Sequence, residues 1–339
     1  MSNVTYRQIS KETGFSIGTV YLAFKNSTRI SPATRSVILK CAERLHYAPS
    51  PYQRQLMAEI RKKPTERRCL ELGFINNWSH SLVQAPDEPL KKMFQRATRR
   101  AEELGYRWQE YWTHESSQLL NKMDIEMWQK SIDGILIFPP RHIGFIPHLQ
   151  KSKVPVFVVG LNLPELNYPC VEADHYFNAE LACMKLIAKK CKRIGFVLDS
   201  FFHESPFSRF EGAFRATIAR SGLAAIEPLL CEGSDVAEIA RYIEDHRCDG
   251  ILTVANCDPA AVARAGGKFA KRVKLACYGG WSVEDARRGV PGVDDRNEVI
   301  GAIAVEQLAL AIESQVWPLP NGPFRIHVPG VWTEPQARS

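Results

Sequence analysis

Nine cysteines are scattered from Cys41 to Cys277 with no C-x-x-C pair among them. A zinc ribbon or a redox dithiol needs closely paired thiols, and an odd number leaves no closed disulfide framework. They read as buried, reduced thiols. His203-Glu204 has no second histidine at the H-E-x-x-H spacing. There is also no G-x-S-x-G elbow, no Walker phosphate loop and no G-x-G-x-x-G run after a strand. No catalytic residue, metal ligand or cofactor is therefore assigned. What remains is charge. Residues 1–68 carry 13 Lys or Arg against 4 Asp or Glu, a balance of +9 in a chain of +7, so the remaining residues sum to −2. A basic head on a nearly neutral body points to a head that meets a polyanion, although a solvated basic face has the same composition.

The elements that position this charge are legible from their ends. Thr5-Tyr6-Arg7-Gln8 fits a capping box, with Val4 and Ile9 as its hydrophobic staple. Gly14 stops that helix. Ser16 caps a second helix, with Phe15 and Val20 as its staple. Ser31-Pro32, a cap followed by proline at the first helical position, opens a third helix expected to run through Tyr47. Its Val37, Ile38, Cys41, Ala42 and Leu45 recur at helical spacing and are expected to cover the first two helices. On the second helix Val20, Ala23 and Phe24 face inward, and Ile17, Gly18, Tyr21, Leu22 and Lys25 face outward. Two short helices joined by a glycine turn make a helix-turn-helix, whose outward face enters the major groove in a DNA-binding head.

Residues Val4 through Leu56 resemble, without a gap, the head and hinge of the lactose/galactose-repressor family. The marks are Gly14, Ser16, Thr19-Val20, Ser31 with Thr34-Arg35, Leu45-x-Tyr47-x-Pro49, and the hinge Tyr47-Ala48-Pro49-Ser50-Pro51-Tyr52-Gln53-Arg54-Gln55-Leu56-Met57. The resemblance implies that Thr5, Ser16, Thr19, Asn26, Ser31, Thr34 and Tyr47 approach phosphates. It places Ile17, Gly18 and Leu22 at base-reading positions and makes Leu56 a minor-groove wedge. Arg29, Ser50 and Gln53 complete the expected DNA-facing set. Hydroxyls, amides and helix N-termini are suitable phosphate donors and fix register. An apolar side chain on a hinge can pry open a base step, and a leucine there equally suits packing of two hinge helices. Three positions depart from the family pattern. Leu22 stands where arginine is usual, and it can touch a thymine methyl but cannot grip guanine. Gly18 offers no side chain, and Gln53 replaces a small residue.

Beyond the charged linker Arg61–Arg68, short apolar runs alternate with amphipathic stretches, the pattern of βαβ units. Strands are expected at Leu70–Ile75, Ile135–Phe138, Val156–Val159 and Ile194–Leu198, and helices at Lys91–Leu104 and Asn297–Ile312. The body also repeats itself. Asp133-Gly134-Ile135-Leu136 recurs as Asp249-Gly250-Ile251-Leu252, Leu72–Ile75 as Ile194–Val197, and Val154–Gly160 as Val273–Gly279. All three echoes are offset by about 120 residues in the same order, which fits two similar α/β lobes with a ligand cleft between them.

Residues 69–333 resemble the periplasmic-binding-protein-like regulatory domain of the same family. The marks are Val171-x-x-Asp174, Arg193-Ile194-Gly195-Phe196, Arg209-x-x-Gly212-x-Phe214, Ala255-Asn256, Gly301-x-x-Ala-Val-Glu-Gln-Leu and Val328-Pro329-Gly330-Val331-Trp332. By resemblance Arg209 and Asn256 contact the effector, although a salt bridge for Arg209 and a turn for Asn256 explain them equally. Asn76, Asn77 and Trp78 resemble the cleft edge, where a tryptophan stacks on a sugar or plugs the lobe interface. Sugar-binding members carry an aspartate where this chain has Tyr278-Gly279-Gly280-Trp281, and often a glutamine where it has Asp295. The expected effector set is thus Asn76, Trp78, Asp174, Arg209, Asn256, Trp281 and Asp295.

The expected architecture is a small all-α helix-turn-helix head (1–48), a hinge and linker (49–68) and an α/β body of two doubly wound parallel-sheet lobes (69–333). The first lobe is expected over about 69–170 and 293–320, the second over about 171–292 and 321–333. The N-terminus has no apolar secretory core and no run of about 18 apolar residues occurs, which with the unpaired thiols points to the cytoplasm. The function expected is a sequence-specific repressor that binds a near-palindromic double-stranded operator as a homodimer. A small-molecule effector, a sugar or sugar derivative, would control it. A ligand-binding α/β protein with a degenerate head is the other reading. No leucine heptad follows the body, so tetramers through a C-terminal coiled coil are not expected.

Overall fold

The computed structural model describes residues 6–24, 29–45, 47, 70–112, 132–139, 152, 154–160, 167–199, 208–231, 235–254, 257, 262, 273–315, 317–319 and 322–335. The chain divides into two compact units, residues 1–68 and 69–339.

In the head, α1 (Tyr6–Thr13), α2 (Ile17–Phe24) and α3 (Pro32–Arg44) form a three-helix bundle. Gly14 takes φ +72° and donates its N–H to the Ser10 carbonyl at 3.0 Å, ending α1 as a residue without a Cβ can. The Ser16 and Ser31 hydroxyls accept from the Thr19 and Thr34 amides at 3.1 and 3.0 Å, capping α2 and α3. Ile9, Val20, Ala23, Ile38, Cys41 and Ala42 make the core, flanked by Tyr6, Phe15, Phe24, Ile30, Leu45 and Tyr47. Thr5 lies outside the described residues. Two expectations are corrected. Val37 is 51% exposed and stays out of the core, because it sits at the edge of the apolar stripe, about 100° round α3 from Ile38. The third helix stops at Arg44, and Tyr47 donates its N–H back to the Ala42 carbonyl at 2.8 Å. That turn packs the Tyr47 ring against Tyr6 and Phe24, with centroids 5.5 and 5.3 Å away.

Among the described residues the body holds two six-stranded sheets. The first has the order β11-β5-β4-β3-β1-β2, all neighbours parallel, from β1 (Glu71–Asn76), β2 (Arg107–Trp112), β3 (Gly134–Ile137), β4 (Val156–Val159), β5 (Cys170–Ala173) and β11 (Arg325–Val328). The second has the order β12-β10-β9-β8-β6-β7, from β6 (Ile194–Asp199), β7 (Leu229–Cys231), β8 (Gly250–Val254), β9 (Lys274–Tyr278), β10 (Gly292–Asp294) and β12 (Val331–Thr333). Among the described strands only β12 runs antiparallel, against β10. Strands β3, β4, β5 and β8 are buried throughout, as parallel strands covered on both faces must be.

In the first lobe α4 (Glu88–Glu103) and α9 (Asn297–Ser314) pack on one sheet face with Phe74, Leu136, Phe157 and Val171. A Cβ on Gly301 would collide with the Met93 carbonyl, so this glycine sets how closely the two helices approach. Helix α4 starts a turn before the expected Lys91 because the Asp87 carboxylate caps it, accepting from the Leu90 amide at 3.0 Å, with Pro89 in the first turn. The second lobe carries α5 (His175–Ala188), α6 (Ser208–Arg220), α7 (Val236–Asp245) and the short α8 (Val283–Arg287).

The echoes have a structural counterpart. Leu72 pairs with Gly134 and Gly73 with Ile135; in the other sheet Ile194 pairs with Gly250 and Gly195 with Ile251. Each repeated aspartate pins the start of the adjacent strand. Asp133 Oδ2 accepts from the Glu71 amide at 2.8 Å, and the Asp249 carboxylate accepts from the Lys192 and Arg193 amides at 2.8 Å each.

The lobe boundaries differ from expectation at two places. Residues 325–328 lie in the first sheet, where His327 pairs with Glu172, and only 331–333 reach the second. Likewise 170–173 belongs to the first sheet, so the chain first crosses at Asp174. Three crossovers, at 173–175, 294–297 and 328–331, therefore join the lobes.

Candidate functional site

The outward face of the head begins at the start of α2. Ile17 is 46% exposed, Gly18 is exposed, and Thr19, Tyr21 and Leu22 are half-buried. A Cβ at Gly18 would meet only the Ser16 hydroxyl at 3.7 Å, so open space lies where a base-reading side chain would project. The Ser16 and Thr19 hydroxyls lie 2.9 Å apart, and Ser31 and Thr34 repeat the same pair at 2.9 Å at the start of α3. Two helix N-termini, each edged by two hydroxyls, suit phosphate oxygens. Arg29 and Ser31 are exposed. Tyr47 joins the aromatic group of Tyr6 and Phe24, and burial beside Tyr47 pushes the Tyr6 hydroxyl up to about 12. Thr5, Lys25, Asn26, Ser50, Gln53 and Leu56 lie outside the described residues.

In the body, several expected contact residues are occupied by the fold itself. Asn76, wholly buried, donates to the His80 carbonyl and to Glu110 Oε1, both at 2.7 Å, and accepts from the Trp78 amide at 2.7 Å. The half-buried Trp78 indole donates to the Pro139 carbonyl at 2.9 Å, which bridges the loops after β1 and β3. Asp174 caps α5 through the Phe177 amide at 3.0 Å. Trp281 is 4% exposed and packs with Cys277, Ala286 and Val290, its indole donating to the Val290 carbonyl at 3.0 Å. A Cβ on Gly292 would collide with that ring, so this glycine leaves the space that the tryptophan fills. Asn256 lies outside the described residues.

Asp295 and Arg209 do converge on the junction between lobes. Asp295 accepts from Asn178 Nδ2 at 2.7 Å and from the Gly280 amide at 2.9 Å. Asn178 Oδ1 in turn accepts from the Gly330 amide at 2.8 Å, so one asparagine ties together all three crossovers. Burial pushes the Asp295 carboxyl up and the neighbouring His175 imidazole down, both toward their neutral forms. Arg209, at the start of α6, donates through Nη1 to Glu172 Oε1 at 3.0 Å. Sequence reasoning missed Glu172, His175, Asn178 and His327. Glu172 had one signal, a charged residue inside the otherwise apolar strand Cys170–Ala173.

No family model matches the chain. Its fold is that of the transcriptional regulator CelR in its cellobiose complex, with TM-score 0.64 and 17% identity, covering 98% of this chain and all of that one. It is equally that of the lac repressor dimer bound to operator and the anti-inducer ONPF, with TM-score 0.62 and 14% identity over all of both chains. In sequence the chain is similar to catabolite control protein A of Priestia megaterium, 25% identical over 253 residues, which covers 72% of this chain and 71% of that protein. The chain thus shares the fold of these regulators and a quarter of its aligned residues with one of them. Two features of the chain stand out, one in the head and one in the body. The outward face of α2 presents Ile17, Gly18 and Leu22, apolar or bare, and the junction between lobes presents a fully buried Glu172.

Proposed function

We propose that this chain is a cytoplasmic, sequence-specific transcriptional repressor rather than an enzyme, binding a near-palindromic operator as a homodimer under control of a small effector between its lobes. The observation that carries this reading is the start of α2, where exposed Ile17 follows Ser16 of a Ser16–Thr19 hydroxyl pair that Ser31 and Thr34 repeat at the start of α3. Hydroxyls and amides there set register on phosphates, while Ile17 and Leu22 favour thymine methyls over guanine edges. A lac repressor of the same fold is bound to operator as a dimer, and CelR holds cellobiose, which supports DNA and a sugar or sugar derivative as partners here. No helix among the described residues is long and apolar enough to cross a membrane.

A gel shift with DNA from upstream of the chain's own gene tests this. Retardation is expected to survive an excess of unrelated duplex, with specific binding at least 10³-fold tighter than non-specific. Equal displacement by unrelated DNA would leave a ligand-binding protein with a degenerate head.

A further inference from the structure

Glu172 is wholly buried, yet basic side chains from both lobes meet one of its oxygens. Arg209 Nη1 of the second lobe lies 3.0 Å from Oε1, and His327 Nε2 of the first lies at 3.1 Å. Arg325 Nη1 lies at 3.6 Å. The parallel register explains the first-lobe pair: His327 sits beside Glu172, and Arg325 lies two residues back on the same face of β11. Glu172 Oε2 has no hydrogen-bond partner among the described residues. The other buried acid at the junction, Asp295, is held by Asn178 and the Gly280 amide, and burial favours its neutral form. Two guanidinium groups thus face one buried carboxylate. Guanidinium forks match carboxylate and phosphate oxygens, so this is the geometry of an oxyanion site already filled from within.

We propose that Glu172 is the resting occupant of an oxyanion site built from Arg209, Arg325 and His327, and that an effector bearing a carboxylate or phosphate replaces it on Arg209. The inference rests on reading the body as an effector-sensing domain. While Glu172 holds Arg209, the ion pair ties the lobes together. A ligand oxyanion on Arg209 cuts the tie, and its apparent affinity is lowered by the fraction of molecules in which Glu172 occupies the site.

The test is thermal unfolding of the full chain, without DNA, in inorganic phosphate, in acetate and in sodium chloride at equal ionic strength. The parent, Glu172→Asp, Glu172→Gln and the double variant Glu172→Gln/Arg209→Gln are compared. The head's own response to anions is common to all four. Glu172→Gln should gain a stabilisation by phosphate or acetate that half-saturates at least tenfold lower than in the parent. Which anion acts identifies the effector's acidic group. Glu172→Asp, which keeps the charge, should follow the parent, and the double variant should lose the gain. Equal responses of the parent and Glu172→Gln overturn the proposal, as does a gain that survives loss of Arg209. If Glu172→Gln does not fold, hydrogen exchange of Arg209→Gln decides. Faster exchange in both 170–178 and 208–214 is expected, and exchange equal to the parent's overturns the proposal. Because no operator is present, failure of DNA binding leaves these outcomes unaffected.

Discussion

Raising salt from about 50 to 200 mM is expected to weaken operator binding by on the order of 10³-fold or more, given roughly six phosphate contacts per complex. The head and linker carry 13 cationic residues. Of these, Arg7, Lys11, Arg29 and Lys40 are exposed, and Arg44 is also exposed but paired with Glu12 at 2.8 Å. Each phosphate neutralised releases condensed counterions, so the logarithm of affinity falls linearly with the logarithm of salt, with a slope of about −5 for six contacts. Fluorescence anisotropy on a labelled operator across a salt series reads this slope. A slope near zero would mean that the basic head is a solvated face.

Asn178→Ala is expected to destabilise the body by about 3 kcal/mol, because it leaves buried polar groups without partners. Asn178 is wholly buried, and its amide holds Asp295 while its carbonyl holds the Gly330 amide. Truncation leaves Asp295 with the Gly280 amide and strands the Gly330 N–H inside. For a body of this size, the loss corresponds to a fall in Tm of roughly 6–12 °C. Asn178→Asp should cost more, since it sets a second carboxyl against Asp295. Calorimetry on both variants checks this, with the head's helical content serving as the control. A change of less than about 1 kcal/mol for Asn178→Ala would show that the crossovers do not depend on this residue.

What the sequence makes legible and what it hides follow from the range of the interactions. Caps are local, so Ser16, Gly14 and Ser31-Pro32 mark their helices within a residue or two. The Asp-Gly echoes are legible because each aspartate pins a neighbouring strand in the same way in both lobes. The junction is different in kind. Glu172 meets His327 only through the pairing of β5 with β11, and meets Arg209 only across two lobes, so spacing along the chain carries no trace of either contact. Arg209 is legible as a residue of the site, but its partner is not. Trp281 misleads for a similar reason. Its place after a strand end suggests an effector contact, whereas the bare backbone of Gly292, eleven residues on, makes room for it inside. The helix ending before Tyr47 shows the same limit, because the pull of Tyr6 and Phe24 on its ring outweighs the helical periodicity.

The central claim is that two copies of the head read two half-sites. Selection of bound duplexes from a random-sequence pool, together with sedimentation of the purified chain, tests it most directly. The account predicts an inverted repeat whose half-sites are about one helical turn apart, bound by a dimer. Its positions facing α2 should favour A·T pairs, because Ile17 and Leu22 can meet thymine methyls and no side chain at Gly18 can grip guanine. Recovery of a single unpaired half-site by a monomer, or of no common sequence at all, would contradict it.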